Sequence, residues 1–307
     1  MNYFTLDQLS EINSGHDHPA KFAVIGNPVA HSLSPQLHQP ALNELKLDCR
    51  YIRVEVPEGQ VNEAFEEMYA AGIRGINVTV PHKLEALEAC HQVDPAAASM
   101  GAVNTIVFNA EGQKTGFNTD GPGFVRAIRE EFGMDLRDLR VIIIGAGGGA
   151  GRAIATQCVM EGCPQLILAN RTLEKLTPMR EELTRLTQSE KLEGPRDRIE
   201  ILSLDDPILE EAIGASELII NTTSVGLRSS DPAPFPPHWV EPHHLVYDTI
   251  YNPSRTHLLR DAEGQGAKIA NGLSLLLHQG ALSLEHWLNQ DAPVDAMRQG
   301  LLDYLKA

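Results

Sequence analysis

Val141-Ile-Ile-Ile144 followed by Gly145-Ala-Gly-Gly-Gly-Ala-Gly151 decides the architecture. A four-residue apolar run reads as a strand. The glycines then allow a tight turn, and the chain continues to about Glu161 with a helical pattern. A strand, a glycine turn and a helix start form a cradle for a pyrophosphate: backbone N–H groups at the helix start are unpaired and carry partial positive charge. The spacing is GxGxxxG, from Gly145 through Gly147 to Gly151, not the usual GxGxxG.

The next strand decides which dinucleotide fits. Sites for NAD end this strand with an acid on the ribose 2′-hydroxyl. Here Leu166–Ala169 runs into Asn170-Arg171-Thr172 with no acid at the tip. Arg171 offers a planar fork suited to a 2′-phosphate, and Lys175 adds charge one turn on. Glu174, between them, opposes this. The residues point to NADP.

Outward from this unit, strand-like runs alternate with helical patterns, which predicts an α/β protein with parallel sheets. Lys21–Gly26, Arg50–Val56 and Gly75–Val80 read as strands, with a helix near Val61–Ala71 and another opened by Pro81. Ser34 is placed to cap a helix with Pro35 at its first position, and Pro40 predicts a kink or break. Thr105–Asn109 and Lys114–Phe117 flank a hairpin turn at Glu111-Gly112. Beyond Gly121 a helix over Val125–Phe132 precedes the glycine loop. Strand–helix pairs follow at Leu166–Ala169 with Glu174–Leu186 and at Ile199–Leu202 with Pro207–Ile213; Leu218–Asn221 and Val246–Asp248 are strands. Gln188–Arg198 and Asp231–Pro242 read as loops. Leu273–Asn289 and Ala296–Leu305 are helical.

A chain of 307 residues suits two domains. The boundaries fall at 1–120 plus 272–307 for one and 121–271 for the other, with glycines at both crossings. The formal charge of −16 argues against a nucleic-acid partner, which needs clustered Lys and Arg. The four cysteines, Cys49, Cys90, Cys158 and Cys163, include no CxxC pair and read as reduced thiols of a cytoplasmic protein. The N-terminus has no secretory pattern, and no apolar run approaches the ~20 residues of a membrane span.

Four polar segments punctuate the first half: His31-Ser-Leu-Ser-Pro35, Asn77-Val-Thr-Val-Pro-His-Lys83, Gly101-Ala-Val-Asn-Thr105 and Asn118-Thr-Asp-Gly121. They supply hydroxyls, amides, one ammonium and one carboxylate. That set suits a polyhydroxylated carboxylate and the proton transfer that accompanies hydride transfer. Singly, each has a plainer reading: Ser34 as a cap, Thr79 as strand filler, Asn104 as a turn residue, Asp120 as an N-cap, Lys83 as a surface charge. His31, His38 and His82 match no metal spacing, so no metal is expected.

In this order and at these separations, HSLSP, NVTVPHK, GAVNT and NTDG resemble the shikimate dehydrogenases. So do GAGG, NRT, YNP at Tyr251–Pro253 and GLSLLLHQG at Gly272–Gly280; the resemblance covers residues 21–290. It implies an N-terminal α/β substrate domain, a Rossmann-type doubly wound NADP domain, and C-terminal helices returning to the first. It implies that Ser32 and Ser34 bind the carboxylate of shikimate or 3-dehydroshikimate, that Thr79, Asn104 and Gln279 hold ring hydroxyls, and that Tyr251 closes the pocket. Lys83 and Asp120 flank the reacting carbonyl. Gly145, Ala146, Gly147, Gly148 and Gly149, with Asn170, Arg171, Thr172 and Lys175, hold cofactor phosphates, and Thr249 and Gly272 lie near the nicotinamide. The glycine loop is one residue longer than the family's usual form, and Thr249 stands where the family is usually apolar. A quinate/shikimate dehydrogenase using NAD or NADP, and a ligand-sensing relative without turnover, are the competing readings. The sequence leaves monomer or homodimer open.

Overall fold

The computed structural model describes residues 3–189 and 199–306. The chain divides into two compact units, Met1–Thr119 with Leu277–Ala307, and Asp120–Leu276. The second crossing lies inside a long helix rather than at Asn271-Gly272. That helix serves both cores: Leu275 packs in the second unit, while Trp287 stacks on Phe22 in the first.

In the second unit the strands are β8 (Arg140–Ile144), β9 (Gln165–Asn170), β10 (Ile199–Ser203), β11 (Leu218–Asn221), β12 (Leu245–Asp248) and β13 (Lys268–Asn271). The sheet order is β10-β9-β8-β11-β12-β13 and every pairing is parallel. The apolar run of β8 follows from its central place. Val141 and Ile143 enter one core, while Ile142 and Ile144 enter the core on the opposite face. Each fully buried aliphatic side chain stabilises the fold by about 1.5–3 kcal/mol, so neither face of this strand tolerates a polar residue. The helices of the unit are α5 (Asp120–Phe132), α6 (Gly149–Met160), α7 (Leu176–Ser189), α8 (Leu209–Gly214) and α9 (His257–Gly264), numbered after α1 to α4 of the first unit. α5 starts at Asp120, five residues ahead of the predicted Val125. α7 includes Gln188 and Ser189, assigned above to a loop, and the remainder of that predicted loop, 190–198, lies outside the described residues.

The first unit contains β1 (Tyr3–Thr5), β2 (Ala20–Gly26), α1 (Ser34–Glu44), β3 (Arg50–Glu55), α2 (Val61–Ala70), β4 (Gly75–Val78), α3 (Lys83–Glu88), β5 (Gln92–Val93), α4 (Pro95–Met100), β6 (Thr105–Phe108) and β7 (Lys114–Phe117). Two C-terminal helices complete the chain, α10 (Leu273–Leu288) and α11 (Val294–Lys306). The sheet order is β1-β3-β2-β4-β6-β7-β5. It is mixed, not parallel throughout: β4 pairs antiparallel with β6, and β6 with β7. The predicted hairpin accounts for the second of these pairings, because a tight turn joins antiparallel strands. Asn109 Oδ1 shapes the turn by accepting from the Glu111 and Gln113 N–H groups.

Residues 3–12, ahead of the first expected strand, are part of the fold. β1 pairs with β3 in parallel, placing Tyr3 opposite Arg53, and Leu9 and Ile12 enter the core. α1 continues through Pro40 instead of breaking there. Pro40 and the Gln36 carbonyl, which loses its helical partner to the proline, both lie against Gly300 of α11. Among the described residues no helix is long and apolar enough to cross a membrane.

Candidate functional site

The serine pair sits where β2 delivers the chain to α1. Ser34 is the first residue of α1, and Leu33 stands at the N-cap with no side-chain capping bond. The hydroxyl expected to cap the helix is therefore available for another partner. Ser32 Oγ donates to Ser34 Oγ over 3.1 Å, so the two hydroxyls converge. Burial pushes the Tyr51 phenol well up, and the nearby Ser34 hydroxyl offsets this in part.

A buried polar network continues from that point. Tyr51 Oη donates to Asn77 Oδ1 at 2.7 Å. Asn77 Nδ2 donates to Ser283 Oγ at 2.8 Å, and Ser283 Oγ shares a 2.7 Å bond with Thr105 Oγ1. Asn104 Nδ2 donates to Thr119 Oγ1 at 3.0 Å, and the Thr119 N–H donates back to Asn104 Oδ1 at 2.8 Å. Every member of this chain from Tyr51 to Thr119 is at most 5% exposed. Fully satisfied networks of this kind hold their members in single rotamers.

Lys83 is half-buried at the first position of α3. Its carbonyl accepts from the Val103 N–H at 3.0 Å, which ties the start of α3 to the residue before Asn104. Pro81 precedes the helix rather than opening it, since His82 is the N-cap. Thr79 follows β4, with its N–H on the Ile25 carbonyl at 2.9 Å. Gln279 lies on α10 one turn before Ser283, whose hydroxyl donates to the Gln279 carbonyl at 2.9 Å. The first unit thus gathers Ser32, Ser34, Thr79, Lys83, Asn104 and Gln279. Asp120 and Tyr251 belong to the second unit.

Tyr51, Asn77, Thr105, Thr119 and Ser283 were not singled out by the sequence reading. Asn77, Thr105 and Thr119 lay inside quoted segments. Ser283 is four residues beyond Gln279, a spacing that puts both on one helical face. Tyr51 had no signal beyond its place in a strand.

His38 packs beneath the network, stacked on Tyr51 with ring centroids 4.5 Å apart. It is fully buried, and neither ring nitrogen makes a hydrogen bond of normal geometry. Burial pulls its pKa down to about 3, offset only in part by the Asn77 amide. The native ring is therefore neutral where an unfolded histidine, near 6.5, gains a proton. Stability is complete above pH 6.5 and is lost as pH falls toward 3, at a limiting slope of about 1.4 kcal/mol per pH unit. His38→Phe keeps the stack and removes the titration. Urea unfolding between pH 4 and 6.5 should therefore show a shallower pH slope for the variant; equal slopes would mean the native ring takes the proton. His82, also buried, bonds the Val56 carbonyl through Nε2 at 2.7 Å. Among the described residues no cluster of His, Cys, Asp and Glu could hold a metal ion.

In the second unit, α6 begins at Gly149 with Gly148 at the N-cap, so the turn is Gly145–Gly148 and shorter than the sequence implied. Gly145 adopts φ +87°, and a Cβ there would run into the Thr223 side chain. Gly148 and Gly149 are exposed, and a Cβ on Gly149 would meet no atom within 4 Å. The open face at the start of a long helix fits a pyrophosphate. Asn170 ends β9 beside Gly147, its Nδ2 donating to the Thr172 carbonyl at 2.8 Å. Arg171, Thr172 and Lys175 are exposed, and neither Arg171 nor Lys175 makes an ion pair among the described residues. Arg152, one turn into α6, is instead paired with Glu182. These residues fit NADP, with donors for phosphate and a cation at the 2′ position.

Thr249 departs from apolar character without leaving a loose polar group. Its hydroxyl donates to the Asn221 carbonyl at 2.9 Å. A Cβ on Gly272 would overlap the Thr249 carbonyl, so the close approach of these two segments requires glycine. The structure brings Thr249 and Gly272 together, as it does Gly147 and Asn170.

Comparison with known proteins agrees with this geometry. Residues 24–106 match the shikimate dehydrogenase substrate binding domain, 126–231 the shikimate/quinate 5-dehydrogenase family, and 272–302 the shikimate 5′-dehydrogenase C-terminal domain. The chain is 39% identical over 286 residues to the NADP(+) shikimate dehydrogenase of Methanopyrus kandleri, covering 92% of this chain and 95% of that one. The chain belongs to the shikimate dehydrogenase family. Two crystal structures of the family are close in fold. Shikimate 5-dehydrogenase from Listeria monocytogenes, in complex with shikimate and NAD, superposes with a TM-score of 0.83 at 31% identity, covering 93% of this chain and 97% of that one. The Thermus thermophilus enzyme, in complex with NADP(H) and shikimate, gives 0.79 at 33% identity, covering 92% and 98%.

Proposed function

We propose that this chain is an NADP-dependent shikimate dehydrogenase, catalysing the reversible reduction of 3-dehydroshikimate to shikimate in aromatic amino acid biosynthesis. The observation that carries the reading is the joining, in one unit, of two converging serine hydroxyls with Lys83 and Asn104. A carboxylate accepts from both hydroxyls at one end, and ring hydroxyls meet Thr79, Asn104 and Gln279. Tyr251 covers the bound ring. Gly145, Ala146, Gly147, Gly148, Gly149, Asn170 and Thr172 hold the cofactor's phosphates, Arg171 and Lys175 its 2′-phosphate, and Thr249 and Gly272 border the nicotinamide. Bound NADPH supplies the hydride. Lys83 supplies the proton to the carbonyl oxygen, because an ionised carboxylate cannot, and Asp120 orients the reacting hydroxyl. Retention of both groups disfavours a sensor without turnover. In this reading the enzyme is cytoplasmic, as a monomer or homodimer.

The test is NADP+ reduction with shikimate and, separately, with quinate. We expect shikimate to be the better substrate by kcat/KM; a preference for quinate would transfer the chain to the quinate branch. Ser32→Ala and Ser34→Ala should raise KM for shikimate more than they lower kcat. A carboxylate remote from the reacting carbon changes little in the transition state, so its contacts contribute uniform binding. A serine whose removal leaves KM unchanged does not touch the substrate.

A further inference from the structure

Residues alternate across a strand, and β3 divides its side chains accordingly. Ile52 and Val54 enter the core of the first unit. Tyr51 and Arg53 face the other way, and both reach the loop that carries the serine pair. Arg53 Nε and one terminal nitrogen donate to the Ser32 carbonyl at 2.9 and 2.6 Å, and the same nitrogen donates to Gln36 Oε1 at 2.9 Å. One half-buried guanidinium thus grips the loop and the first turn of α1. Among the described residues no carboxylate comes within ion-pair distance of it. The Tyr51 hydroxyl donates a hydrogen bond to Asn77 Oδ1.

Two features make this arrangement more than scaffolding. A fork that could bind a carboxylate bidentately is held on a carbonyl, leaving its charge uncompensated by protein. That charge lies behind the two hydroxyls best placed to receive an anion. Through Asn77 and Ser283, Tyr51 also joins the β3 side of the serine loop to the Thr105, Asn104 and Thr119 end of the site. The geometry points to Arg53 and Tyr51 as positioning residues that set affinity for the substrate's carboxylate, Arg53 by holding the serine loop under an unpaired positive charge and Tyr51 by anchoring β3 beside that loop to the buried network through Asn77. This rests on the shikimate reading above.

Steady-state kinetics of the full chain test it, with shikimate and NADP+ varied in turn for the unmodified protein and for Arg53→Met, Arg53→Lys and Tyr51→Phe. Arg53→Met should raise KM for shikimate about 10- to 100-fold, with kcat within about threefold and KM for NADP+ unchanged. Arg53→Lys should fall between, since an ammonium keeps the charge but not the fork. Tyr51→Phe should raise the same KM about threefold or more. A variant that is only less folded loses active molecules, which lowers apparent kcat and leaves KM alone. Should Arg53→Met fail to fold, Arg53→Lys and Tyr51→Phe decide the matter. If the unmodified chain turns over shikimate and KM stays within twofold in every folded variant, the positioning role is overturned and the shikimate reading stands. An unmodified chain inactive with shikimate overturns both.

Discussion

Lys83→Ala is expected to lower kcat for shikimate oxidation by about 10²- to 10⁴-fold, the contribution of a positioned acid–base group. Shikimate and NADP+ should still bind, because the serine pair, Asn104 and the glycine turn are untouched. Carbonyl reduction needs a proton on oxygen as well as a hydride on carbon, and the proposed mechanism assigns that proton to Lys83. Its backbone is fixed by the bond from the Val103 N–H to its carbonyl, so truncation of the side chain leaves the start of α3 in place. Calorimetric titration beside kcat separates the alternatives. Activity within about threefold of the parent, with binding intact, would make Lys83 a bystander and move the proton to another donor.

Arg171→Asp should invert the cofactor preference. In the parent, NADP(H) should be favoured over NAD(H) by about ten- to a hundred-fold, because charge-assisted hydrogen bonds to a 2′-phosphate contribute about 1.5–3 kcal/mol. Arg171 stands at the exposed tip of β9 with no ion-pair partner among the described residues, so no internal bond has to break before it meets the phosphate. An aspartate there repels the phosphate and accepts from a ribose hydroxyl. The measurement is kcat/KM for both cofactors in both proteins. Equal values in the parent would show that Arg171 does not read the 2′ position.

Where the chemistry depends on local pattern, it was legible. Val141–Ile144 reads as an apolar strand, and the glycines after it announce a turn. The missing acid after Leu166–Ala169 was visible as a residue type at a strand tip. The polar segments HSLSP and NVTVPHK stood out because hydroxyls and amides interrupt apolar strands there. Other features had no local signature. β1 is three residues long, and what makes it a strand is the free edge of β3. Pro40 is a helix breaker by propensity, yet α1 passes through it, because packing against Gly300 of α11 outweighs one missing backbone bond. Ser34 has the residue type of a cap, and only its position inside the helix showed that its hydroxyl serves something else.

The sequence by itself determined the α/β class with its parallel sheets, the glycine turn after Val141–Ile144 and the choice of NADP, and its resemblance to a known family singled out Lys83, Asp120 and the serine pair as the candidate site. Each depends on neighbours along the chain, which a reader of the sequence has in hand. Tertiary structure alone decided what stands behind that site. Asn77 meets Ser283 across 206 positions, and Arg53 meets the Ser32 carbonyl across 21. Hydrogen-bond partners this far apart leave no periodicity or spacing to read. They meet because the sheet order sets β3 beside β2 and because α10 brings Gln279, Ser283 and Trp287 back to the first unit on one helical face.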